Sequence, residues 1–177
     1  NTAKAYARAI FTNLKCDATT VNPYLGFDSV EPFIEYRDRG VFILCRTSNE
    51  GARDFQSLRC QASELGQRPL FELVAYKASE WNRYGNVGLV VGATCPEELR
   101  LIRGSHPDMP ILIPGIGAQG GDLSLAVRYG VDTRGEKAII NSSRQVIYAS
   151  RGRDFAEAAR QVASSLRDRI NSYRSIP

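Results

Sequence analysis

The chain has 177 residues, 43% hydrophobic and 24% charged, with a net charge of +4, enough for one domain with a sizeable core. No apolar run reaches the ~18 residues of a membrane span, and the basic residues are scattered rather than interleaved with aromatics, which argues against a nucleic-acid partner. Surplus Lys and Arg suit a solvated surface first and attraction of anionic, phosphate-bearing ligands second.

In chain order, residues 2–14 form the first helical pattern, with Ala5, Ile10 and Leu14 on one side. The β-branched run 18–22 follows, then a short helix over 29–36 that ends before Gly40. Run 41–45 precedes a longer helix over 69–84, with Leu70, Leu73, Val74, Ala78 and Trp81 at helical spacing, and then run 87–91. The helix expected over 95–103 takes Thr94 as N-cap, Pro96 in its first turn and Glu97 and Glu98 near its N-terminus. Runs 111–114 and 138–141 come last. A closing helix over 154–173 is capped by Asp154, with Phe155, Ala158, Ala159, Val162, Leu166 and Ile170 as its apolar stripe. The five strand-like runs lack polar alternation, as expected for strands buried on both faces of a parallel sheet.

Cys16, Cys45, Cys60 and Cys95 contain no C-x-x-C pair and do not cluster with the single His106, so no metal site is expected. Free thiols point to a reducing, cytosolic compartment. The opening Asn1-Thr-Ala-Lys-Ala-Tyr6 has no apolar signal core and no initiator Met. It therefore reads as no secretory leader, and the natural chain is expected to begin further upstream.

Strand–helix repetition predicts an α/β fold, either an open doubly wound sheet or a closed (β/α)8 barrel. Polar or glycine-rich segments follow the C-terminal end of each run: Asn22-Pro-Tyr-Leu-Gly26, Arg46-Thr-Ser-Asn49, Gly92-Ala-Thr94, Gly115-Ile-Gly-Ala-Gln-Gly-Gly-Asp122 and Ser142-Ser-Arg144. Five loops at one rim favour the barrel, whose active sites lie on that face. A barrel needs eight strands and five are visible, so three are expected before Asn1.

Pro114-Gly-Ile-Gly-Ala-Gln-Gly-Gly-Asp122 carries the strongest chemistry. Four glycines in seven residues let backbone N–H groups approach an anion, and Gln119 adds a neutral donor. No G-K-[ST] follows, so this is not a Walker loop, and the Rossmann context is also missing. At the next strand end, Asn141-Ser-Ser-Arg144 supplies a guanidinium suited to bidentate phosphate contact. Barrel phosphate sites often lie between the last two strand–helix loops, and the conjunction predicts phosphate binding. Ser48 stands at the rim, where its hydroxyl can bind a polar heterocycle; on spacing alone an N-cap for the following turn is the favoured reading. Asn22-Pro-Tyr24 reads as a turn. His106 sits in a loop on the opposite side of its strand and is not expected to be catalytic.

Together these segments resemble the orotidine 5'-phosphate decarboxylase family, in its bacterial type 2 branch. The resemblance rests on Asp17-Ala-Thr-Thr-Val-Asn-Pro-Tyr-Leu-Gly-Phe-Asp28, Thr47-Ser-Asn49, Val90-Val-Gly-Ala93, Ile113-Pro-Gly-Ile-Gly-Ala-Gln-Gly-Gly-Asp122 and Ile140-Asn-Ser-Ser-Arg144. It implies a (β/α)8 TIM barrel, with roughly strands 4–8 and their helices in this chain as a single C-terminal partial domain. It also implies a homodimer that converts orotidine 5'-phosphate to UMP without metal or organic cofactor. Arg144 and Gln119 become phosphate ligands, helped by backbone at Pro114, Gly115, Gly117, Gly120 and Ser143. Ser48 matches the pyrimidine-binding serine, and Thr2 matches a threonine that contacts the ribose from the neighbouring subunit.

The family's catalytic Asp-x-Lys-x-x-Asp run ends just before the position matching Asn1, and no such run occurs in the 177 residues. Lys4 is no substitute, because it falls in the following helix. The chain is therefore expected to supply the gripping loops and no catalytic residue. Five barrel strands alone would expose two sheet edges, so the isolated chain is expected to be unstable, or to sit beside an N-terminal half of the same barrel. Another phosphosugar barrel enzyme and a noncatalytic phosphate-binding module remain alternatives; the Thr47-Ser-Asn49 and Asn22-Pro-Tyr24 segments favour the decarboxylase.

Overall fold

Each of the five apolar runs becomes a strand of one parallel sheet in a computed structural model that describes residues 2–62, 66–117 and 120–174. The strands are β1 (Ala18–Val21), β2 (Gly40–Arg46), β5 (Val87–Val91), β6 (Ile111–Ile113) and β7 (Ala138–Ile140), adjacent in that order. Between β2 and β5 the chain forms a separate antiparallel hairpin of β3 (Arg59–Ala62) and β4 (Gly66–Pro69). The sequence reading has no hairpin there, because both strands are polar and largely exposed and so offer no hydrophobic alternation.

Burial on both faces holds only for β5, all of whose residues are buried. Strands β2 and β6 alternate between buried and half-buried positions. β1 alternates exposed and half-buried positions, and Ile139 of β7 is 47% exposed. Among the described residues these outer strands have a sheet neighbour on one side only, which corrects the expectation of uniform two-sided burial.

The helices are α1 (Thr2–Arg8), α2 (Phe27–Ile34), α3 (Leu70–Trp81), α4 (Pro96–Ser105), α5 (Leu123–Gly130), the single turn α6 (Arg144–Ile147) and α7 (Phe155–Arg174). α1 continues as a π turn over Ala9–Asn13, and its buried face is Ala7 and Phe11, flanked by Ala3 and Ile10. Of the expected stripe Ile10 packs against the core, whereas Ala5 is exposed and Leu14 is 71% exposed, so the buried stripe is rotated from the expected one. α7 buries Leu166 as expected but leaves Phe155, in its first turn, 62% exposed. Thr94 does not cap α4: Cys95 occupies the N-cap without a side-chain cap, and the Thr94 hydroxyl donates instead to Ser48 O at 3.4 Å.

The sequence reading omitted α5, whose N-cap signal lies at the end of the glycine-rich segment. Asp122 accepts from the N–H groups of Ser124 at 2.7 Å and Leu125 at 3.1 Å. The Leu125 N–H, then the Ser124 hydroxyl, hold the Asp122 carboxyl below the usual carboxylate range. Asp122→Ala should cost about 1 kcal/mol of stability, read as the shift in a urea midpoint. Because the folded-state pKa is depressed, the wild-type contribution is present above the ordinary Asp value of about 3.9 and is lost as pH falls through the folded pKa. The alanine variant should therefore match wild type at the lowest pH.

The core lies between the sheet and the helices. Val41, Ile43, Val87, Leu89, Val91, Ile111 and Ile113 are fully buried there with Val30, Leu99, Ile102 and Val127. Each such aliphatic side chain contributes about 1.5–3 kcal/mol. Cys45 belongs to this layer. Its thiol donates to Phe71 O, and burial pushes its pKa up to about 12, so it acts as a small apolar side chain. No helix of the described residues is long and apolar enough to cross a membrane.

Candidate functional site

The C-terminal ends of β2, β5 and β6 are stitched together by backbone. Gly92 N–H donates to Arg46 O at 2.7 Å, and Ala93 N–H to Pro114 O at 2.8 Å. Close approach requires glycine at two of these positions. A Cβ on Gly92 would stand 2.7 Å from Ser48 Cβ and 2.8 Å from Ser48 N, and one on Gly121 would stand 2.6 Å from Ala93 Cβ. Gly92→Ala should therefore displace the Ser48 segment and weaken any ligand held by Ser48 about tenfold or more while leaving the circular dichroism spectrum unchanged. Unchanged binding would show that the Ser48 segment does not need this approach.

The glycine-rich loop leaves β6 through Pro114 and turns at Gly115 (φ +103°), Gly117 (φ +84°) and Gly120 (φ +78°). Gly120 N–H donates to Gly117 O at 2.9 Å, and Gly121 N–H to Gly115 O at 3.1 Å. Buried Ile116 bridges to Gly121 and anchors the loop to the core. Left-handed glycines close the turn without side-chain strain and orient backbone N–H groups for anion contact. Gln119, a candidate ligand at the tip, lies outside the described residues.

The loop after β7 meets this turn directly. A Cβ on Gly117 would stand 2.7 Å from Gln145 Oε1, so the side chain next to Arg144 lies against the glycine turn. The Ser142 hydroxyl donates to Gln145 Oε1 at 3.3 Å. Ser143 is the N-cap of α6 and makes no side-chain cap bond, while Arg144 is its first residue and is exposed to solvent. A cleft of about 390 Å³ beside the turn is lined by Gly117, Gly121, Asp122, Gln145, Arg169 and Tyr173.

Ser48 is half-buried on the same rim, and a second cleft of about 460 Å³ is lined by Arg46, Thr47, Ser48, Asn49, Arg53 and Thr94. The single-turn helix after it, Glu50–Asp54, has Asn49 as its N-cap. The N-cap reading of Ser48 is thus corrected, since the cap position falls one residue later. Ser48, Pro114, Gly115, Gly117, Gly120, Ser143 and Arg144 therefore all follow the C-terminal ends of parallel strands, at one end of the sheet. Thr2 is exposed in the first turn of α1. Gln145 and the buried Arg46 were not singled out from the sequence. Gln145 carried a signal in its place beside Arg144, whereas the burial of Arg46 (4% exposed) has none. Among the described residues no three His, Cys, Asp or Glu side chains cluster as metal ligands.

The chain matches the Orotidine 5'-phosphate decarboxylase / HUMPS family over residues 1–162. It is 58% identical over 175 residues to an orotidine 5'-phosphate decarboxylase of Dehalococcoides mccartyi, covering 98% of this chain and 64% of that relative. The corresponding enzyme of Ralstonia nicotianae is 50% identical over 176 residues, covering 99% and 63%. Among solved structures, Leishmania donovani OMP decarboxylase superposes with a TM-score of 0.84 at 41% identity, covering 99% of this chain and 64% of that one. Leishmania donovani UMP synthase gives 0.84 at 44% identity, covering 98% and 36%. The chain thus spans 64% and 63% of the length of the two curated relatives. The five-stranded parallel sheet is part of a TIM barrel.

Proposed function

The chain belongs to the orotidine 5'-phosphate decarboxylase / HUMPS family, and from that premise we propose that it carries the nucleotide-gripping rim of an orotidine 5'-phosphate decarboxylase. One observation carries the reading: a left-handed glycine turn and an exposed Arg144 stand at consecutive strand ends, joined through Gln145 against Gly117. In this reading Arg144 and Gln119 take the phosphate oxygens with backbone N–H groups of Gly115, Gly117 and Ser143. Pro114 sets the start of the turn, and Gly120, whose N–H closes on Gly117 O, supplies its left-handed bend. Ser48 takes the pyrimidine edge. Thr2, exposed in the first turn of α1, reaches the ribose of a neighbouring subunit in a homodimer.

The reading assigns the chain to the C-terminal part of a (β/α)8 barrel of the bacterial type 2 branch. The 177 residues hold no Asp-x-Lys-x-x-Asp run, so they contribute binding rather than the proton donor. Phosphate contact far from the reacting carbon still serves the chemistry, because that energy holds the closed loops and offsets distortion of the substrate. The test is turnover of orotidine 5'-phosphate by the full-length protein, followed by the loss of orotidylate absorbance. Conversion to UMP is expected; binding of UMP with no turnover, or turnover of a different sugar phosphate, would overturn the assignment.

A further inference from the structure

A second set of side chains holds the Ser48 segment without belonging to the phosphate rim. Gln56 reaches back to Thr47: its Oε1 accepts the Thr47 N–H at 2.8 Å, and its Nε2 donates to Thr47 Oγ1 at 2.8 Å. Thr47 Oγ1 in turn donates to Asn49 Oδ1 at 2.6 Å. Arg46, 4% exposed, donates through one terminal nitrogen to Thr47 O at 3.1 Å and Gln56 Oε1 at 3.4 Å. Its other terminal nitrogen stands 3.7 Å from Glu98 Oε1 on α4.

The N–H, the carbonyl and the hydroxyl of Thr47 are thus all engaged by side chains. A surface loop ordinarily meets water with these groups. Arg46 Nε makes no hydrogen bond, so the buried guanidinium depends on Thr47, Gln56 and Glu98 for its satisfaction, which ties the loop to α4. On its other side the Ser48 segment abuts Gly92 and accepts the Thr94 hydroxyl. Ser48 is therefore gripped before and behind.

We propose that Gln56 and Arg46 are positioning residues that fix Ser48 against the pyrimidine ring. This rests on the assignment of Ser48 to the pyrimidine given above. A group that reads a heterocycle edge must be held within a fraction of an ångström, and its supporting hydrogen bonds supply that constraint. Among the described residues the phosphate grip, formed by the loops after β6 and β7, shares no hydrogen bond with the Gln56–Thr47–Arg46 set.

The experiment is calorimetric titration of the full-length protein with UMP and with ribose 5-phosphate, which lacks the pyrimidine. Gln56→Ala should weaken UMP about tenfold and leave ribose 5-phosphate unchanged. Gln56→Met, which keeps the volume, carries the same prediction if the alanine variant fails to fold. Gln56→Glu keeps the acceptor for the Thr47 N–H and Arg46 and should recover most of the UMP affinity. Equal weakening of both ligands, or no weakening of UMP, overturns the proposal. Arg144→Ala separates the two readings, because it should weaken both ligands. If it does so while Gln56→Ala changes nothing, the phosphate site stands and the positioning role falls. A parent protein that binds neither ligand overturns both.

Discussion

Arg144→Ala in the full-length protein is expected, on the proposed function, to lower kcat/KM for orotidine 5'-phosphate by roughly two orders of magnitude, about 3 kcal/mol of transition-state binding. The side chain is exposed at the start of α6, so its removal opens no cavity and leaves no buried partner unpaired. The loss is therefore one of binding, with little change in stability. A charge-assisted, bidentate contact to phosphate is worth more than a neutral hydrogen bond, and a lysine cannot reproduce its fork. Arg144→Lys should recover only part of the loss. The same variant should reduce UMP affinity while the thermal midpoint stays within a degree or so. Steady-state kinetics at low substrate check the first expectation, and an unchanged kcat/KM would remove Arg144 from the site.

Arg103→Met should be the most destabilising of the substitutions considered, by about 3–5 kcal/mol. Arg103 is 7% exposed on α4, and its guanidinium donates to the carbonyls of Gly130 at 2.6 and 2.9 Å, Met109 at 2.8 Å, Pro107 at 2.9 Å, Lys137 at 3.0 Å and His106 at 3.2 Å. Those oxygens end α4 and α5 and open β6 and β7, so one side chain closes the sheet end opposite the rim. Burial pulls the guanidinium pKa below its ordinary value, while the Asp132 and Asp108 carboxylates push it back up. Methionine matches the stem but orphans the carbonyls. Lysine cannot span two directions at once and should rescue little. A urea midpoint that moves by less than the equivalent of about 1 kcal/mol would contradict this account.

What was legible in the sequence follows from where the signal is local. The sheet strands announced themselves through β-branched runs such as 87–91, because burial there tolerates no polar side chain. The glycine turn and the place of Arg144 after the next strand were legible because each lies within a few residues of an apolar strand run. The hairpin of β3 and β4 was not, since its pairing rests on backbone bonds between polar residues. α5 was missed because its N-cap, Asp122, directly follows the glycine turn and reads as the end of that loop. The Arg46–Gln56 set was invisible for another reason: the two residues are separated by a loop and a turn that only the fold brings back.

The central claim is that the turn bent at Gly115, Gly117 and Gly120 and the Arg144 guanidinium form one phosphate site. A crystal structure of the full-length protein with UMP tests it most directly. The account predicts the phosphate seated between the backbone N–H groups of Gly115 and Gly117 and Arg144, at hydrogen-bonding distance from both, with the pyrimidine towards Ser48. A phosphate bound elsewhere on the rim, with Arg144 still pointing into solvent, would contradict it.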